Sequence, residues 1–267
     1  MYIPPEYDSN KSIQENQELH EKNIAKSLNV KPNSKILEVG CGCGRISNFI
    51  SKETNSYVYG ININKKHIED AINFSKKEKN DKTFFKYGDF NEPIEFEDNF
   101  FDAIYVVQPL TYCNNLDNLF KEFRRVLKPN GKIVLGDYVL LDNFDKNNEK
   151  DLERGLNVRG ITAGGGLWHS KYWEKAAEDA GFKIIESTCG DKYDHHYAPE
   201  LPVLKDISDY FWNWRDWMRT LTQWKILPKN LKIIFDRVTK GGKDLIELME
   251  EAKITTDYIF VFEKPKD

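Results

Sequence analysis

Long apolar runs are missing from this sequence, and their absence excludes a membrane-spanning helix, which needs about 20 consecutive apolar residues. The longest apolar stretches, such as Ile133–Leu135 with Tyr138–Leu141, are the size of strands. An excess of positive charge is missing too. With 39 Lys and Arg against 43 Asp and Glu, the formal net charge is −4, so a nucleic-acid partner is not expected. Cysteine is scarce, and Cys41, Cys43, Cys113 and Cys189 have neither metal-ligand spacing nor a disulfide framework. No metal is therefore expected, and the expected location is cytoplasmic, with peripheral attachment to membranes left open. Met1 to Tyr7 is mixed polar and aromatic and does not read as a secretory signal. Internal repeats and low-complexity stretches are also lacking. What remains suits one sizeable domain over residues 1–267.

The periodicity alternates between strand and helix. Gln14 to Leu28 keeps helical spacing and is stopped by Lys31-Pro32-Asn33. Strands are expected at Lys35–Val39, Tyr57–Ile61, Thr83–Tyr87, Phe101–Val107, Gly131–Leu141, Phe182–Cys189 and Thr255–Glu263. Helices are expected from Gly44, through Ile68 to Phe74, from Asn115 to Leu127, and from Tyr172 to Ala180. Strands separated by helices of this length imply an α/β fold with a mostly parallel seven-stranded sheet covered on both faces. Residues 1–29 read as an N-terminal helical cap, 30–190 as the core, and 254–267 as the final strand. Between the last two strands, residues 191–253 read as a helical insertion crowded with aromatics, including Tyr193, Tyr197, Tyr210, Phe211, Trp212, Trp214, Trp217 and Trp224.

The turn after the first strand carries the chemistry. In an open parallel sheet, ligands bind beyond the carboxyl ends of the strands. Here the chain runs Glu38-Val-Gly-Cys-Gly-Cys-Gly44, where glycines let the backbone approach a ligand and the next helix offers unpaired N–H groups. Gly88-Asp89-Phe90 follows strand three, Asn99-Phe-Phe-Asp102 opens strand four, and Leu127-Lys-Pro-Asn-Gly-Lys132 leads into strand five. Over residues 30 to 190 this ordered set resembles the Rossmann-like methyltransferases. The resemblance implies S-adenosylmethionine as cofactor. Glu38, Gly40, Cys41 and Gly42 would hold its methionine end, Asp89 and Phe90 its adenine, and Gln108 would lie beside the sulfonium. One element departs from the pattern. An acidic ribose ligand should end strand two, but the sequence gives Gly60-Ile-Asn-Ile-Asn64, leaving Asn62 and Ile63 in that place.

That departure, with Leu19-His-Glu21, Val30-Lys-Pro32 and the closing Ile254-Thr-Thr-Asp-Tyr-Ile-Phe-Val-Phe-Glu-Lys-Pro265, resembles the sterol C-methyltransferases. Asp194-His-His-Tyr-Ala-Pro199 agrees more loosely. The resemblance implies methyl transfer to carbon in a sterol, triterpenoid or other isoprenoid. Aromatic faces stabilise a carbocation without trapping it, which suits the aromatic insertion. After strand four the family has an acidic residue and then a His, where this chain has Gln108 and Tyr112. Tyr112, His195 and His196 are the candidate catalytic residues, as proton acceptors or as groups that position the substrate. Neither Cys41 nor Cys43 reads as a nucleophile. Two alternatives stay open: an N- or O-methyltransferase for a small amine, phosphobase or phenolic metabolite, and a cofactor-binding subunit without activity. The expected partner is an apolar small molecule, with a homodimer left open.

Overall fold

In the computed structural model, residues 11–162, 168–189 and 229–266 are described, together with Trp214, Trp217, Thr220, Leu221 and Trp224. The seven strands are β1 (Lys35–Val39), β2 (Tyr57–Asn62), β3 (Thr83–Tyr87), β4 (Phe101–Val107), β5 (Leu127–Leu140), β6 (Lys183–Cys189) and β7 (Ile254–Glu263). The helices are α1 (Ile13–Leu28), α2 (Arg45–Thr54), α3 (Lys65–Lys77), α4 (Leu116–Val126), α5 (Glu149–Thr162), α6 (Ser170–Asp179) and α7 (Lys229–Glu250). One sheet holds all seven strands in the order β3-β2-β1-β4-β5-β7-β6. Strands β1 to β5 pair in parallel, and β7 lies antiparallel between β5 and β6. The start of β7 therefore sits at the carboxyl end of its neighbours.

Local chemistry explains the boundaries. Ser12 caps α1 through a reciprocal box with Glu15, satisfying two orphan donors. Asn64 caps α3 and Asn115 caps α4 by accepting amide hydrogens of the first turn. The amphipathic α4 buries Leu116, Leu119, Phe120, Phe123 and Val126, each contributing about 1.5–3 kcal/mol by burial. With Trp173, Ala176 and Ala177 of α6 they cover one face of the sheet. Ile24, Ala25 and Leu28 of α1 and Ile50 of α2 cover the other.

One expectation needs correction. The Lys128-Pro-Asn-Gly131 turn is not outside the fifth strand but forms a bulge within it. Pairing jumps from Phe101↔Leu127 to Ala103↔Lys132, and Asn130 adopts a left-handed φ of 62°. Helix α5 is an addition to the helices expected from the sequence, and it shows no apolar stripe because its inward positions include Asp151 and Arg154.

α1 also places an unusual group inside. His20 is 4% exposed, and burial lowers its pKa to about 4. A lowered folded pKa leaves the stabilisation intact above the ordinary value of 6.5 and removes it as pH falls from there towards 4. Urea unfolding at pH 7 and pH 5 is expected to show a loss that His20→Leu does not share. An identical loss in the variant would remove His20 as its source.

Candidate active site

The carboxyl ends of β1, β2 and β4 are adjacent, and the loops beyond them form the site. After Val39 the backbone is left-handed at Gly40 (φ 76°), Gly42 (φ 51°) and Gly44 (φ 77°), a conformation that costs other residues strain. The amides of Gly40 and Cys41 both donate to the Ile61 carbonyl, at 2.9 and 3.0 Å, which staples the turn to β2. A Cβ on Gly42 would meet nothing within 4 Å, so here the backbone lies open to a ligand. A Cβ on Gly40 would lie 2.6 Å from Cβ of Pro109, because the loop after β4 packs directly on this turn. Gly44 begins α2 with no side-chain cap, leaving first-turn amides available to an anionic group.

Glu38 is buried, and its carboxylate accepts the hydroxyl of Ser47 in α2. Burial raises its pKa to about 7, against the opposing influence of Ser47 and the neighbouring Tyr105 phenol. The phenol, opposite Glu38 on β4, is close but not aligned for a hydrogen bond. Nearby, buried Glu21 forms a two-pronged ion pair with Arg45. Glu38 therefore binds the first turn of α2 to β1. The Cys41 side chain is also buried, beneath β2, where Gly60 leaves room for it. Burial pushes its thiol pKa up, so it is neither a nucleophile nor an exposed contact.

Asn62 ends β2, and its Oδ1 accepts the amide of Asn64 at 2.8 Å. Ile63 is exposed beside it. After β3, Gly88 donates to the Asn62 carbonyl, which brings Asp89 alongside. Asp89 Oδ1 accepts from the backbone amide and side chain of Asn91. Phe90 is half-buried against the main core. Asn91 was not singled out from the sequence, yet it ties two loops together. Its Nδ2 donates to the Tyr112 carbonyl and its Oδ1 accepts from Asn114. The Asp-x-Asn spacing was the available signal.

Beyond β4, Gln108 has a left-handed φ of 60°, a strained choice for a side chain of this kind. Its amide donates to the Gly136 carbonyl and its Nε2 reaches the Thr256 carbonyl in β7. Leu110–Tyr112 form a single 3₁₀ turn, with Tyr112 half exposed. That turn is held by Asp137 of β5, which sequence reasoning passed over. Asp137 is 1% exposed and accepts the amides of Leu110 and Tyr138, each at 2.8 Å. Burial nevertheless raises its pKa to about 7. A carboxylate thus does stand behind the β4 loop, supplied by the neighbouring strand instead of by position 108. Replacing it with Asn sets an NH₂ against one of the two amides, at an expected cost of about 1–3 kcal/mol. Asp137→Asn is therefore expected to shift Tyr112 and depress turnover more than cofactor affinity. Equal loss of both would assign Asp137 to the fold alone.

His195 and His196 lie outside the described residues. Among the described residues no cluster of His, Cys, Asp and Glu is arranged to hold a metal ion.

A methyltransferase domain family matches residues 30–192 of the chain. A sterol 24-C-methyltransferase of Debaryomyces hansenii is 30% identical over 266 residues, covering 92% of this chain and 70% of the relative. Among solved structures, a cyclopropane synthase from Mycobacterium tuberculosis superposes with a TM-score of 0.76 at 15% identity, over 99% of this chain and 90% of the other. Geranyl diphosphate C-methyltransferase from Streptomyces coelicolor, solved with S-adenosyl-L-homocysteine, gives 0.68 at 12% identity over 94% and 82%. At these identities the two structures establish the fold.

Proposed function

The chain belongs to the methyltransferase domain family and to the sterol methyltransferases within it, and from that premise we propose that it transfers a methyl group to an alkene carbon of a sterol, triterpenoid or other isoprenoid. It is an S-adenosylmethionine-dependent methyltransferase. The observation that supports the acceptor class is the reach of the sterol methyltransferase similarity, which covers 92% of the chain.

The residues fit the cofactor. The left-handed turn at Gly40 to Gly44, open at Gly42, admits a ligand to the backbone, and the uncapped start of α2 suits a carboxylate. Asn62 and Ile63 are assigned to the ribose and the adjoining ring face. Asp89 and Phe90 are assigned to the adenine, the carboxylate accepting from the exocyclic amine. When bound, S-adenosylmethionine supplies an electrophilic methyl group on a sulfonium. An alkene acceptor that took this methyl would give up a proton in exchange, so a group able to receive or relay a proton would be needed beside it.

The chain's own contribution is placement and exclusion of water, which favour an in-line displacement without a strong base. Gln108, held in its strained conformation by Gly136 and Thr256, fixes the floor of the reacting region. Tyr112, whose turn is held by Asp137 and Asn91, is assigned to orient a substrate polar group or relay the proton. Cys41 contributes through its main chain.

Incubation with cofactor carrying a labelled methyl group, together with lipid and polar extracts, should put the label in the neutral-lipid fraction. Label confined to the polar fraction would refute the isoprenoid assignment and favour an amine or phenol acceptor. In parallel, Asp89→Ala should weaken cofactor binding by calorimetry while leaving the melting temperature of the apoprotein unchanged. Unaltered affinity would misplace the adenine.

A further inference from the structure

The sheet is open at β3, where no described strand lies beyond it. The Lys82 carbonyl accepts the Val58 amide, and the Gly88 amide donates to the Asn62 carbonyl. Even-numbered residues of this segment therefore turn their main chain towards β2. The main-chain groups of Thr83, Phe85 and Tyr87 point outward. Edge strands are ordinarily blunted by charge, by proline or by a bulge. Thr83-Phe-Phe-Lys-Tyr87 has one lysine and no proline, and it pairs with β2 without a register shift. Side chains alternate across the strand. Thr83 donates to Ser75 of α3, and the Lys65 ammonium of α3 lies 5.5 Å from the Tyr87 ring, so the odd-numbered residues share the α3 face. Phe84 lies on the other face, stacked on Tyr59. Both aromatics face solvent nonetheless, Phe84 at 45% and Tyr87 at 50% exposure. Between α3 and the edge is a cavity of about 560 Å³, lined by Ile72, Lys76, Asn80, Thr83, Phe84 and Phe85.

We propose that a second copy of the chain pairs with this edge, the two β3 strands running antiparallel about a two-fold axis at Phe85. Symmetry fixes the register, with Phe85 facing its own copy and Thr83 facing the partner's Tyr87. The residues whose main chain points outward become the hydrogen-bonded positions, exchanging about six bonds across the axis. On the α3 face, the partner's Tyr87 stands opposite Thr83 and enters the cavity beside Ile72. On the other face, Phe84 stands opposite the partner's Lys86. In the single chain the Lys86 ammonium already lies over an aromatic ring, 4.4 Å from the centre of Phe96, and a second ring suits it equally. No like charges face each other within the ladder, and its central pair is aromatic. An exposed ring and the cavity that receives it are each used twice, which favours a second copy over an unrelated strand. The pairing goes beyond the acceptor assignment and does not rest on it, because association is measured with neither cofactor nor acceptor present.

Sedimentation equilibrium of the full chain over a micromolar concentration series is expected to show a monomer–dimer equilibrium. Phe84→Lys sets an ammonium against the partner's Lys86 and is expected to weaken association about tenfold or more. Phe84→Glu sets a carboxylate in the same place and should retain the dimer. Both variants lose the stacking on Tyr59 alike, so a difference between them reports the cross-strand pair and not the fold. Tyr87→Ala, at an exposed position, withdraws the ring from the cavity and should weaken association as well. A chain that stays monomeric throughout the series would overturn the proposal. So would a dimer that Phe84→Lys and Phe84→Glu weaken equally, or one that Tyr87→Ala leaves untouched.

Discussion

Gly40→Ala is expected to abolish cofactor binding and to destabilise the fold by about 2–5 kcal/mol. Two penalties coincide at this residue. Its φ of 76° lies in the left-handed region, which costs an alanine about 1–2 kcal/mol. The added methyl would also stand 2.6 Å from Cβ of Pro109 and 2.7 Å from its Cγ, a separation that no rotamer change relieves because the proline ring is rigid. Overpacking of this kind costs about 1–3 kcal/mol, bringing the total to about 2–5 kcal/mol. The strain falls on two loops at once. The turn is stapled to Ile61 and cannot recede into the sheet, so the relief must come from movement of Gln108 and Pro109. Those are the residues that lead into the turn carrying Tyr112. Calorimetry is expected to show a loss of cofactor affinity, and the rise in melting temperature that the cofactor confers should disappear. Gly42→Ala provides the contrast. Its Cβ meets no protein atom within 4 Å, so any loss beyond its left-handed strain would come from the ligand side. If Gly40→Ala bound the cofactor normally, the close packing of the β1 and β4 loops would not matter to binding.

The same contrast shows what the sequence discloses. The glycine turn was legible because its spacing encodes a backbone requirement, and the strands were legible because burial imposes their composition. Gly40's partner was not legible. Contact with Pro109 is set by the pairing of β1 with β4, across almost seventy residues of chain. Asp137 escaped notice for a related reason. An acid inside an apolar strand reads as an interruption until the amides of Leu110 and Tyr138 are seen to face it. Glu38 reads as a ligand residue by its place in the motif, yet its side chain serves α2 through Ser47. Cys41 is in the motif for its small size beneath Gly60 as much as for its position. Helix α5 was the element least visible to periodicity, because two of its buried positions, Asp151 and Arg154, are charged and two of its exposed ones, Leu152 and Leu156, are apolar.

That inversion makes Arg154 the second position of large effect. The guanidinium side chain is 5% exposed and pairs with Asp151 at 2.7 Å and with Glu251 at 2.6 Å. Lys253 completes the group, 2.8 Å from Asp151 and 2.7 Å from Glu251. Together these join α5 to the end of α7 and the entry of β7, above an apolar cluster of Leu140, Val158, Leu245, Leu248, Met249 and Ile254. Removing one partner of a buried pair costs about 3–5 kcal/mol, because the remaining charge stays buried. Arg154→Met leaves Asp151, 2% exposed, with Lys253 as its one remaining cation among these four residues. The penalty falls on the cap that α5 and α7 form over this cluster and spares the glycine turn, which lies on other strands. Faster proteolysis within α5 and α7 and a fall in turnover are therefore expected, with cofactor affinity retained. The double variant Arg154→Met/Asp151→Leu removes both buried charges and is expected to recover part of the loss. Acid should act in the same direction. Arg154 and Lys253 hold the Glu251 pKa down to about 2. Its contribution is thus complete above the ordinary carboxylate range and lost as pH falls from about 4.5 towards 2. Cap proteolysis in the wild type should rise through that window and flatten in Glu251→Gln. A cap that resists proteolysis equally in all three variants would place its stability in the apolar cluster alone.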